Sequence, residues 1–158
     1  MEESVGTSPS ALDQASLEAL RRRRAELRES MSAVELALAE PSRSGLLRWA
    51  GRVHVAVVEL FADILEHIRV TQGPEGLYAD VLATSPRLSD AVGRLTQEHR
   101  GIGDLIEELL ALTATTASQD VDWIRSLGNT LLGALVGHRQ RGSDLVYEAY
   151  EFDIGGET

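Results

Sequence analysis

Apolar side chains that recur every three or four residues, along four segments separated by proline, serine and glycine, constrain this chain more than any other feature. Leu88, Val92, Leu95, His99, Ile102, Ile106 and Leu109 form one such ladder, and Ile124, Leu127, Leu131, Leu135, His138, Gly142 and Leu145 form another. Spacing of this kind turns one face of an α-helix toward a core. Each ladder gives histidine a slot that a helix bundle normally fills with leucine. Two imidazoles therefore point inward from two helices, a pattern that invites a metal ion.

The frame is that of a helical protein. Alanine, leucine, glutamate and arginine dominate, aromatic residues make up only 4% of the chain, and proline falls at segment boundaries. That composition and spacing predict an all-α fold, and 158 residues suffice for one domain with one sizeable core. Acidic residues outnumber basic ones by 25 to 15, for a formal charge of −10. A nucleic-acid or anionic-membrane partner is therefore not expected. With no cysteine there is no disulfide and no thiolate ligand. The opening MEESVGTSPS lacks the plan of a secretory signal, and no apolar run approaches the roughly 20 residues of a membrane span. The expected location is cytoplasmic.

Residues 1–10 read as a disordered leader ending at Ser10, a candidate helix cap with Asp13 three residues on. Residues 11–150 read as the bundle and 151–158 as a tail whose Phe152 and Ile154 could dock on it. The first helix runs to about Glu40, with Leu17, Leu20, Leu27, Met31, Val34 and Leu38 inward. The second starts near Ser44 and carries Leu47, Ala50, Val57, Phe61, Ile64 and Ile68 to the Gly73-Pro74 break. Residues 75–83 form a short helix or a kinked continuation. The third helix follows Pro86 to about Leu112 and the fourth spans about Asp120 to Tyr150. Trp49 and Trp123 are expected to pack at helix ends. An antiparallel up-down four-helix bundle is the predicted architecture.

Antiparallel neighbours place residues equidistant from a turn at one height. A turn near residue 84 sets His67 opposite about residue 101, and a turn near 117 sets His99 opposite about 135, so His67, His99 and His138 share a layer. Reflection about residue 42 brings Asp13, Gln14 and Glu18 to the same height. His54 is roughly 20 Å along the helix from His67 and is read as a neutral, hydrogen-bonded packing residue. The candidate metal ligands are His67, His99 and His138, with Glu75, Asp144 and Glu18 as candidate carboxylate contributors. Glu98, Asp144, Glu148 and Tyr147 are the nearest candidates to hold the second ring nitrogens. The run Arg21 to Arg24, amid Glu18, Glu26 and Glu29 at helical spacing, reads as a salt-bridged outer face.

The order of an inward histidine late in the second helix, Glu98-His99-Arg100 on the third and His138-Arg139-Gln140-Arg141 on the fourth resembles the hemerythrin-like, HHE cation-binding family. The stretches HIRVTQGPEGLYADV from His67 and HRQRGSDLVYEAYEFDIGG from His138 look like segments of small bacterial members. The resemblance covers most of the chain after the first helix. It implies a four-helix bundle holding non-heme iron through histidines and bridging carboxylates, and proteins that bind or sense dioxygen, handle nitric oxide or store iron. The chain departs from that pattern at several ligand positions. The first helix has no histidine, Thr71 and Gly103 stand where a carboxylate and a second histidine are expected, and Ser143 replaces another carboxylate beside Asp144. Only His67, His99 and His138 carry over, too few for two irons.

No nucleophile beside a base, no phosphate-cradling glycine loop and no His-Glu-x-x-His spacing appears, so hydrolase chemistry has no support. Three readings follow, in order. The first is a hemerythrin-like protein with a mononuclear site for non-heme iron, zinc or another divalent ion, binding or sensing a small ligand such as dioxygen or nitric oxide. The second is a metal-free scaffold of the same fold with a protein partner or a second copy of itself. The third is a metal-dependent oxidative enzyme.

Overall fold

The first three helices each end just before a proline, Pro41, Pro74 or Pro86, which withdraws a backbone donor. The computed structural model describes residues 14–114 and 120–152, and no strand occurs among them. Helix α1 spans Gln14–Ala39, α2 Leu46–Gln72, α3 Leu77–Thr84, α4 Ser89–Thr113 and α5 Val121–Val146. The leader, Asp13, Ile154 and the remainder of the tail after Phe152 lie outside the described residues. Pro41 disfavours helical backbone at Glu40 and ends α1. A short 3-10 turn, Ser42–Ser44, then delivers the chain to Gly45, whose φ of +133° disfavours any side chain there.

At the other end of α2 the Gly73-Pro74 break turns the chain back on itself. A Cβ at Gly76 would sit 2.7 Å from the Thr71 carbonyl oxygen, so only glycine permits this return. The short helix expected between residues 75 and 83 is therefore the separate α3. Ser85-Pro86 closes it, and a 3-10 turn over Pro86–Leu88 leads into α4. Asp120 caps α5 by accepting a 3.0 Å hydrogen bond from the Trp123 backbone N–H. The fourth helix does not continue as regular α-helix to Tyr150, because α5 opens into a π turn over Tyr147–Phe152.

Four long helices pack α1 on α2, α2 on α4, α4 on α5 and α1 on α5. Arg125 of α5 joins them at one end: it donates to the carbonyls of Leu38 and Glu40, each at 2.9 Å, and its guanidinium lies 5.2 Å above the Trp49 ring. Those carbonyls are the unpaired acceptors at the α1 C-terminus, so one side chain caps one helix and covers the core tryptophan of the next.

The apolar interior comes in two clusters. The larger contains Leu27, Val34, Val57, Leu60, Ile106 and Leu131, and the smaller contains Leu77, Tyr78, Val81, Leu88, Leu95 and Leu145. His99 lies between Leu95 of the smaller cluster and Ile102 of the larger, and His138 between Leu135 and Leu145. A polar layer thus interrupts the core at the histidines' height. Both inward ladders are buried except at Gly142, which is partly exposed with open space beside its Cα. Two expectations fail. Leu47 is 64% exposed, and Trp123 projects into solvent at the start of α5 rather than packing, while Trp49 is wholly buried.

Candidate metal centre

His67 of α2, His99 of α4 and His138 of α5 converge. The Nε2 of His138 lies 3.1 Å from the Nε2 of His67 and 3.1 Å from the Nε2 of His99. Ring nitrogens from all three lie within 4.8 Å of one another. Their ring centroids are 4.8 to 5.3 Å apart. Tyr78, brought in by α3, stacks on His99 at 5.8 Å with planes 15° apart. The glycine-proline break thus has a consequence at the site, since it returns the chain so that an aromatic face covers one imidazole.

The second nitrogens are held unequally. His99 Nδ1 lies 2.9 Å from the Gln72 amide oxygen, which can only accept, so Nδ1 carries the proton and Nε2 keeps its lone pair. Glu98 Oε2 stands 3.7 Å from His138 Nδ1, too long for a hydrogen bond, while Arg141 Nε donates to both Glu98 oxygens at 2.5 and 2.9 Å. His138 Nδ1 is buried and has no hydrogen-bond partner. The other proposed second-nitrogen partners do not reach the rings: Asp144 is exposed and accepts from Gln140 at 3.0 Å, and Tyr147 and Glu148 are exposed beyond α5. Gln72 carries no charge to mark it in the sequence, and its signal is its place one turn and a residue beyond His67 at the helix end.

Burial sets the protonation. Burial, and then the charges of His138, His99 and Arg24, pushes His67 down to about 3. Burial and then His138 push His99 down to about 4 against the opposing Glu98. Burial also lowers His138, with Glu98 opposing. Burial pushes Glu98 up, but the Arg141 hydrogen bond and the neighbouring positive charges outweigh it and hold the carboxyl below its ordinary value. All three imidazoles are neutral at pH 7, the form a metal requires.

The donor set approaches that of one divalent ion: two nitrogen pairs stand at 3.1 Å, and the widest pair, within 4.8 Å, would close to about 4.2 Å or less on a shared ion. His138 Nε2 stands 3.1 Å from His99 Nε2, so without an ion its N–H can donate to a neighbouring imidazole, and a bound ion would take the place of that proton. With metal–nitrogen bonds of about 2.0–2.1 Å, that spacing subtends roughly 95–100° at the ion, between octahedral and tetrahedral values. Burying imidazoles with unmet hydrogen bonds costs on the order of 1–3 kcal/mol each, whereas a bound structural zinc ion returns roughly 10 kcal/mol or more.

Among the described residues no carboxylate joins the three histidines. Glu18 and Glu75 are exposed, Glu75 on the wall of a cleft between α1 and the Gly73-Pro74 loop, and Asp144 faces solvent. Asp13 lies outside the described residues. His54 stands apart, with Nδ1 2.9 Å from the Thr113 hydroxyl, as a packing residue. The arginine run is only partly an outer salt-bridged face. Arg23 pairs with Glu26 at 3.2 Å and Glu66 at 3.0 Å, but Arg24 is partly buried and its charge acts on His67. Like charges from Arg28 and Arg24 act on Arg139 of α5, whose Nε is buried without a partner. The α1 side of the centre therefore presents positive charge.

No protein-family model matches this chain, and no curated protein or solved structure matches it either.

Proposed function

We propose that this protein is a hemerythrin-like, cytoplasmic metal-binding protein in which His67, His99 and His138 hold a single divalent ion, iron or zinc, for the binding or sensing of a small ligand. The observation that carries this reading is the convergence of three neutral imidazoles, through Nε2, on one point between two apolar clusters. Three nitrogen ligands, joined by no carboxylate among the described residues, leave coordination positions for water or a small molecule such as dioxygen or nitric oxide. An antiparallel up-down arrangement belongs to the same reading. It is supported by side-chain pairs that run in opposite directions: Arg23 with Glu66, Ser30 with Asp63 and Glu40 with Arg52 between α1 and α2, and His67 and His54 of α2 with His99 and Thr113 of α4.

One observation favours the metal-free scaffold as a second reading. Arg24 brings positive charge to the α1 side of the centre, and Arg141 engages the nearest carboxylate, Glu98. Both features oppose a cation.

Thermal denaturation of chelator-treated protein, with and without added Zn(II) or anaerobic Fe(II), separates the readings. Binding to the native state raises the midpoint by an amount that grows with free metal concentration. We expect that rise for the natural sequence and none for His99→Ala. Equal midpoints with and without metal would overturn the metal-binding reading in favour of the scaffold.

A further inference from the structure

Helix α2 carries two apolar stripes where a bundle helix needs one. The inner stripe, which includes Val53, Val57, Leu60 and Ile64, is buried. The outer one runs Leu47, Gly51, Val55, Val58, Ala62 and Leu65 at steps of four, four, three, four and three. Its four large members are 64%, 59%, 47% and 53% exposed in chain order. At 1.5 Å per residue the stripe is about 27 Å long and spans a narrow arc of the helix. A run of this length at coiled-coil spacing differs from isolated surface leucines, which need no explanation. Leu36 of α1, 69% exposed, widens it across a shallow groove shared with Gly51 and Val55.

We infer that this face is a homodimer interface in which α2 packs antiparallel on α2 of a second copy about a two-fold axis between Ala56 and Val57. Three features on the page select a second copy as the occupant. The stripe is self-complementary under that axis: Val55 meets the partner's Val58, Leu47 comes to the height of the partner's Leu65, and Gly51 faces the partner's Ala62. Small residues at paired heights let two helices approach closely, and the space beside Gly51 is open. The flanking charge is also divided along the helix. Arg48 and Arg52 flank the first half and Glu59, Asp63 and Glu66 the second; Arg52 is tied to Glu40, Asp63 to Ser30 and Glu66 to Arg23 and Arg69, which leaves Arg48 and Glu59 turned to solvent. A two-fold axis normal to the helices keeps one flank on one side, so each copy's Arg48 lies on the same side as the other copy's Glu59.

The interface lies on the face of α2 opposite His67, so it stands or falls independently of the metal centre. Sedimentation equilibrium at submillimolar concentration measures the mass directly. The natural chain should show the mass of two chains. Val58→Arg should show that of one, with an unchanged circular dichroism spectrum. Leu47→Lys, nearer the helix end, serves the same purpose should Val58→Arg fail to fold. Since the chain has no cysteine, single cysteines report orientation cleanly. Val58→Cys should cross-link to itself under mild oxidation. Leu47→Cys should not, because its two copies stand roughly 28 Å apart along the helices, but it should link to Leu65→Cys in a mixture. A single-chain mass for the natural protein, a dimer that survives the substitutions, or self-linkage of Leu47→Cys would overturn the inference.

Discussion

The amide oxygen of Gln72 lies 2.9 Å from Nδ1 of His99 and so decides which ring nitrogen of His99 faces the other two histidines. Gln72 is the last residue of α2, and the helix end that positions it is the end that returns the chain to stack Tyr78 on the same ring. Partners of this kind typically change metal affinity about 10- to 100-fold. Gln72→Ala should therefore weaken Zn(II) binding by that order in competition with a chromophoric chelator, and Gln72→Glu should retain it. Unchanged affinity in Gln72→Ala would show that Tyr78 packing alone orients the ring.

Substitution of His138 separates binding from packing. His138→Ala and His138→Leu both remove the imidazole whose Nε2 touches the other two, so both should lose metal-dependent stabilisation. They should differ when metal-free. Leucine fills the site with apolar volume, while alanine leaves a cavity worth about 1–3 kcal/mol. Urea midpoints of the two metal-free variants should rank leucine above alanine, and the opposite rank would mean that the layer cannot repack around an apolar side chain.

Stability of the metal-free protein should depend on pH in a definite direction. The folded histidines titrate below their ordinary value of 6.5, His67 at about 3 and His99 at about 4. As pH falls through 6.5 the unfolded chain takes up protons that the folded one refuses, so stability is fully present above 6.5 and declines below it. Each such histidine contributes about 1.4 kcal/mol per pH unit within its window. The decline from the histidines ceases only below the folded values. Urea unfolding at pH 7 and pH 5 checks this, with His67→Leu showing a smaller loss than the natural chain. An equal loss in both would mean that His67 titrates normally.

Arg24 tests the electrostatic side of the site. Its positive charge acts on His67 and would act on a bound cation in the same sense. Arg24→Gln should bind Zn(II) more tightly than the natural chain, and the gain should shrink with added salt. Weaker binding would instead assign Arg24 a supporting role in positioning His67.

The helices and the histidine layer were legible because both rest on periodicity. Three-to-four spacing fixes the inward face of α4 and α5, and reflection about the turns predicts the common height of His67, His99 and His138. What the sequence hid depends on contacts made by the fold. Leu47 satisfied the inward spacing of its segment and also the spacing of the outer stripe, and pattern alone could not choose between them. Gln72 reaches His99 only because α2 ends one turn beyond His67. Arg24 belongs to a run whose neighbours are paired at the surface, yet one step of 100° around α1 separates Arg23, bonded to Glu66, from Arg24, whose charge reaches His67. Glu18, Glu75 and Asp144 matched in height or sequence distance but not in direction.

The most direct measurement is metal content per chain after equilibration with Co(II) or Zn(II) and removal of unbound ion, for the natural protein and for His67→Ala, His99→Ala and His138→Ala. One ion per chain is expected in the natural protein, with a loss of retained metal in each variant. No retained metal in the natural protein, or full retention in the His99 and His138 variants, would contradict this expectation.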